Sequence, residues 1–185
     1  MLVLAVFILL IGVRGEFTNY LEAKYSDLSF GVGFVKIDPI YGKFHANVTC
    51  LNDEIVFPIS KSFKTKDIHE DYPQYKSQIQ YNSKIKGIFV GSDIESYIKS
   101  ITGGGKMPFE NGGVYTQINI YLIDNTEHYM PIVKKVLNVL KDNNISAEKI
   151  IITYEKDRHV YEMLLTSDDY SMNEMEIEAK VETRK

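Results

Sequence analysis

Residues 114–166 read VYTQINIYLIDNTEHYMPIVKKVLNVLKDNNISAEKIIITYEKDRHVYEMLLT, and this stretch decides the fold. Its first ten residues place apolar side chains at alternate positions, the period of a strand. Tyr129, Ile132, Val133, Val136, Leu137 and Leu140 then recur at helical spacing, with Pro131 in the first turn, where a missing N–H costs nothing. Residues 150–154 and 160–166 flank a turn at 156–159 and read as a β-hairpin. The expectation is a β-α-β-β unit over 114–167, followed by a tail or edge strand over 168–185. Tyr115 and Tyr121 on one strand, and Tyr154 and Tyr161 on the hairpin, form either a binding platform or partly buried sheet packing.

Upstream, the stretch 102–113 holds five glycines and Pro108. It reads as the boundary between two units, with a linker over 103–113. Thr102 to Met107 superficially suggests a phosphate-binding loop. However, Met107 and Pro108 follow Lys106 where a Ser/Thr and a helix are required. Before the glycines, Ser92-x-x-Glu95 predicts a capped helix with Ile94, Tyr97, Ile98 and Ile101 on one stripe.

The first unit, expected over 16–102, begins with a short amphipathic helix bearing Phe17, Tyr20, Leu21 and Tyr25, opened by an Asn19–Glu22 capping box. From Ser29 the period changes to two. Three runs, near 30–34, 44–50 and 55–60, are separated by turns at 38–42 and 52–54 and read as an antiparallel meander. A helix is expected from Tyr72 toward Lys86. The fold class is therefore α+β, in two small units.

Residues 1–13, MLVLAVFILLIGV, form an unbroken apolar run in front of these units, bounded by Arg14. A run of that length suits a signal-like segment or a membrane anchor, assigned here to 1–15. Enclosure as a core helix is the alternative. No Lys or Arg precedes the run and no A-x-A cleavage pattern follows it. We read it as an anchor whose basic flank lies upstream, with a single pass through the cell membrane and the body extracytoplasmic. The positive-inside tendency applied to Arg14 alone would give the opposite orientation.

Charge limits the function classes. With 21 basic and 25 acidic side chains the net charge is −4, which disfavours nucleic acid as a partner. Asp67, His69, Glu70 and Asp71 form the densest group of potential ligands. Histidines 45, 69, 128 and 159 nevertheless stand singly, with no HxH or HExxH spacing, and an acidic stretch leading into a helix is the plainer account. If a polar site exists, these four residues are its candidates; no catalytic set, metal or cofactor is expected. Cys50 is alone and reads as a buried thiol. Asn47-Val48-Thr49 fits a glycosylation sequon within a strand.

The segments Tyr20-Leu-Glu-Ala-Lys-Tyr25, Asp38-Pro-Ile-Tyr-Gly42 and Ile68-His-Glu-Asp-Tyr-Pro73 resemble the YfjL-like proteins of Gram-positive bacteria. The resemblance extends to the strand, long helix and hairpin of 114–166. It implies a small membrane-anchored protein of unknown function, with an N-terminal helix, a sheet and a segment leading into a helix, and carries over no catalytic residue. The departure is the missing basic flank before the anchor. The function expected is membrane-tethered, non-catalytic binding of a protein or peptide; a regulatory or inhibitory domain that adds a strand edge to a partner is a further reading. The alternative is a cell-surface hydrolase with a site between the two domains.

Overall fold

The computed structural model describes residues 2–109, 114–124 and 129–184. The first helix, α1 (Leu2–Lys24), is unbroken. The side chains of residues 3–9 and 11 are exposed rather than enclosed. Beyond them Val13, Phe17 and Leu21, one per turn, are buried, each contributing about 2 kcal/mol by removal from water. By length and composition Val3–Lys24, 22 residues, is long and apolar enough to cross a membrane, and its part from Val13 onward packs in the first unit. No separate amphipathic helix starts at Asn19. Inside a continuous helix its neighbouring N–H groups already have carbonyl partners, so a capping box has nothing to cap.

The chain divides into two compact units, Met1–Lys76 and Ser77–Lys185. In the first, β1 (Phe30–Val32), β2 (Lys36–Asp38), β3 (Lys43–Cys50), β4 (Val56–Ser62) and β5 (Ile68–Glu70) form one antiparallel sheet. Its order is β1-β3-β4-β5, with β2 also paired to β3. The expected meander is present. Its first run is β1 alone; β2 lies beyond that run, just before the turn at 38–42, and was not expected, and β5 was hidden by its polar, three-residue length. Helix α2 (Tyr72–Gly87) begins at the expected residue. The division between units falls inside α2, not at the glycine-rich stretch.

The second unit contains β6 (Ile98–Gly105), β7 (Tyr115–Leu122), α3 (Tyr129–Asp142), β8 (Ile150–Lys156), β9 (His159–Leu165), α4 (Glu174–Glu178) and β10 (Val181–Arg184). The sheet order is β10-β9-β8-β7-β6. Strands β7 and β8 are parallel, joined by α3, and the other pairs are antiparallel. The β-α-β-β core stands as read. Its tail is ordered: a 3-10 turn (Ser167–Ser171), then α4 with an Asn173–Glu176 capping box, then β10 as an edge strand. The apolar stripe of α3 buries Val133, Val136, Leu137 and Leu140 in one core with Ile118, Ile120, Ile150, Ile152, Met163 and Leu165.

Two sequence expectations are corrected here. The helix over 92–101 is a 3-10 turn (Glu95–Tyr97) followed by β6. Ser92 Oγ donates to the Phe89 carbonyl and Glu95 accepts from Gly91 N–H, so the two residues serve a turn. β-branched Ile98, Ile101 and Thr102 suit the ladder with β7 better than a helix. The linker over 103–113 begins inside β6, at Gly103-Gly104-Gly105; its residues 110–113 lie outside the described residues.

Candidate functional site

The four candidates Asp67, His69, Glu70 and Asp71 do not converge. Asp67, His69 and Asp71 are exposed, whereas the Glu70 side chain is almost fully buried at 1% accessibility. One Glu70 oxygen accepts from Lys24 Nζ at 2.6 Å and Tyr25 Oη at 2.7 Å, and the other from Tyr72 N–H at 2.6 Å. Burial opposes its ionisation, but these donors outweigh burial and hold the carboxyl below its ordinary range. Burial and the bond to Glu70 push the Tyr25 phenol up to about 12. Nearby, Tyr72 Oη donates to Asp53 at 2.7 Å, Lys76 pairs with Asp53 at 3.2 Å, and the Cys50 thiol lies 3.7 Å from Tyr72 Oη. Burial and the Asp53 carboxylate raise the Tyr72 pKa. These groups are fully committed to one another, which makes the cluster a fastening rather than a reaction centre. Among the described residues, no three His, Cys, Asp or Glu side chains come together to hold a metal. His128 lies outside the described residues.

The second unit presents a different kind of feature, an edge strand with open grooves on both sides. Gln78 and Asn82, one turn apart on α2, reach the outer edge of β6. Gln78 Nε2 donates to the Gly103 carbonyl at 2.6 Å and Asn82 Oδ1 accepts from Gly103 N–H at 2.9 Å. This close approach explains the glycine triplet. A Cβ at Gly103 would stand 2.7 Å from the Tyr115 ring, and one at Gly105 would stand 2.3 Å from the Tyr81 ring. Both are shorter than carbon–carbon contact allows.

Gly103 therefore points its backbone groups away from β7, and the alternation of an antiparallel pair turns those of Ile101 the same way. Along this part of the edge, Lys86, Phe89, Val90, Glu95, Ile98 and Thr102 line a groove of about 340 Å³. Val90 is 70% exposed there. Lys99 and Ser100 also belong to a second groove of about 400 Å³, which lies at the C-terminal ends of β7 and β8 beside Tyr121, Thr153 and Glu155. Lys99 and Asp124 pair across its rim at 3.0 Å, and that bond raises the lysine pKa.

The open face of this sheet carries Thr102, Gln117, Asn119, Tyr121, Ile151 and Leu164, all half-buried or exposed. Gln117 donates to Asn119 at 2.8 Å. The tyrosines do not form the platform considered from sequence. Tyr115 is fully buried, because the strand irregularity at Gly104/Gly105 breaks its alternation with Tyr121. Tyr129, Tyr154 and Tyr161 stack successively at 3.9 and 5.1 Å on the packed side. Burial raises the Tyr115 phenol to about 12 and also raises Tyr154, and Tyr115 Oη donates to the Tyr81 carbonyl at 3.1 Å. What this surface offers chemically is backbone hydrogen bonding between shallow apolar and polar walls. The sequence hides it because the capping pattern at Ser92–Glu95 predicts a helix there; the β-branched run before the glycines is the signal that points to a strand. No family model, no curated protein and no solved structure matches this chain.

Proposed function

We propose that this protein is a membrane-tethered binding module of the cell envelope that takes an extended peptide or protein segment along the outer edge of β6. The observation that carries the reading is the side of that strand at Ile98–Thr102 with which no other strand among the described residues pairs, bordered by two grooves, next to Gly103 whose backbone groups α2 has already taken. Strand addition supplies main-chain hydrogen bonds, and flanking grooves select alternate side chains. The exposed apolar part of α1 supports the tether; the extracytoplasmic side of the body is part of the same proposal. A place among the YfjL-like proteins belongs to the same proposal and rests on the three segments quoted above.

The test is selection of binders from a random peptide library on the full chain held in nanodiscs, followed by amide hydrogen exchange. Bound peptide should slow exchange at Ile101 and leave Gly103, already bonded to Asn82, unchanged. Ligands that protect no amide of β6 would sink the reading.

A further inference from the structure

The first unit carries an exposed apolar and basic surface at the end from which α1 projects. The contacts of α1 give its direction across the sheet. Just past its C-terminal end, Tyr25 packs on Phe30 and Tyr72, beside Cys50 and Phe57. Nine residues earlier, Glu16 pairs with Lys61, which stands opposite Phe44. Toward its N-terminus the helix thus runs to the Lys43/Ser62 end of β3 and β4.

Two turns meet at that end. Residues 39–42 join β2 to β3, and residues 63–66 follow β4. Phe63 N–H donates to the Gly42 carbonyl at 2.8 Å, and the Phe44 and Phe63 rings meet edge-on at 4.7 Å. Ile40 is 87% exposed and Tyr41 76%; Ile37 faces solvent opposite Phe44, and Phe34 is bare on the same sheet edge. Large apolar side chains standing this free of the fold are costly in water unless something covers them.

Four lysines surround them: Lys36, Lys43, Lys64 and Lys66. The nearby acids are Asp38, which accepts from Tyr41 N–H at 3.1 Å, and Asp67. Lys61 is paired with Glu16, and Arg14 Nε is bonded to the Val32 carbonyl. The local balance is positive in a chain whose net charge is −4.

The occupant is identified by what adjoins the patch. The apolar run of α1 extends to Val13, and Val13 is itself buried in the first unit, so no polar linker separates the membrane-competent segment from the folded body. A body joined in this way sits flush with the surface that receives the helix. Amphipathic aromatic rings and lysines are the side chains that settle at a lipid headgroup layer.

We infer that this end of the first unit docks onto the anionic bilayer that holds α1, with Ile40 and Tyr41 entering the interface and Lys36, Lys43, Lys64 and Lys66 on the headgroups. The inference rests on the tether reading, and the experiment separates the two. The sequence contains no tryptophan, so Leu9→Trp, Ile40→Trp and Leu51→Trp each give a single reporter in the full chain. Leu51 is exposed and follows the opposite end of β3. Each variant is reconstituted into vesicles of phosphatidylcholine and phosphatidylglycerol doped with brominated lipid.

The expected result is several-fold quenching of both Leu9→Trp and Ile40→Trp, with Leu51→Trp bright. Quenching of Ile40→Trp should weaken in phosphatidylcholine alone, and in a variant carrying Gln at the four lysines. If Ile40→Trp stays as bright as Leu51→Trp while Leu9→Trp is quenched, docking is overturned and the tether stands. If Leu9→Trp is bright, the tether itself falls. Equal quenching of Ile40→Trp without anionic lipid overturns the headgroup assignment. A lipid-independent blue shift that grows with protein concentration overturns the lipid surface in favour of a second copy of the chain.

Discussion

In the first unit α1 is fastened to its sheet through a buried carboxylate, Glu70, which takes donors from α1, from Tyr25 and from the first residue of α2. In the second unit α3 lies on its sheet mainly through aliphatic surface, with Tyr129 at its start stacked on Tyr154 and donating to the Glu155 carbonyl, and α2 meets β6 through tyrosine rings and glycine backbone. Asp169, also buried there, serves mainly its own turn, accepting from Thr166 N–H and Lys180. The difference follows from the helices. The all-apolar start of α1 is exposed, and its packed part buries only Val13, Phe17 and Leu21, one per turn, so a directed ionic contact at Lys24 reinforces a narrow stripe. The one-sided stripe of α3 orients itself.

Core deletion in the second unit should give the largest effect. Leu137→Ala is expected to cost about 4 kcal/mol, read as faster amide exchange in β7 and β8. Gly105→Ala comes next, at about 3 kcal/mol, because the new methyl would overlap the buried Tyr81 ring. Urea unfolding followed by tyrosine fluorescence would measure it, and a loss under about 0.5 kcal/mol would break the close-approach account.

In the first unit Glu70→Gln should cost about 2 kcal/mol, since the amide keeps the shape but loses charge-assisted bonds. Lys24 is 44% exposed, so solvent screens part of that interaction. The pH response sharpens the contrast. The depressed Glu70 carboxyl contributes stability that is present above about pH 4.3 and lost as pH falls through its lower folded value. The raised Tyr25 and Tyr72 phenols contribute stability that is complete below about pH 10 and lost as pH rises past it. Glu70→Gln should therefore flatten the acid limb for the amides of β5. The smallest effect on stability, within about 0.5 kcal/mol, belongs to Val90→Asp on the exposed groove wall. It should nevertheless abolish capture of the selected peptides.

The parts of the fold legible in the sequence were those in which one period dominates. The stripe of α3, the alternation of β3 and β7 and the hairpin of β8 and β9 belong here. Glycines 103–105 misled because glycine marks both a chain break and a place where another group comes within reach, and only tertiary neighbours distinguish these. Glu70 stands out in the sequence for its ligand-bearing neighbourhood, yet its two side-chain partners lie 45 and 46 residues upstream, beyond any local pattern. The β6 edge was invisible for a related reason: an unfilled hydrogen-bonding side is a property of sheet order, which no single segment encodes.

The pair of amides that α2 places on Gly103 has a further consequence. An exposed strand edge is ordinarily an invitation to unlimited ladder growth, one chain upon the next. Here the side chains of Gln78 and Asn82 act as an end-stop. Between the start of β6 and that stop lie the five residues Ile98–Thr102, about 17 Å of extended chain. In the proposed strand addition a visiting strand would be measured against that length and held in register by it, so the edge would receive a short segment without becoming a template for fibres.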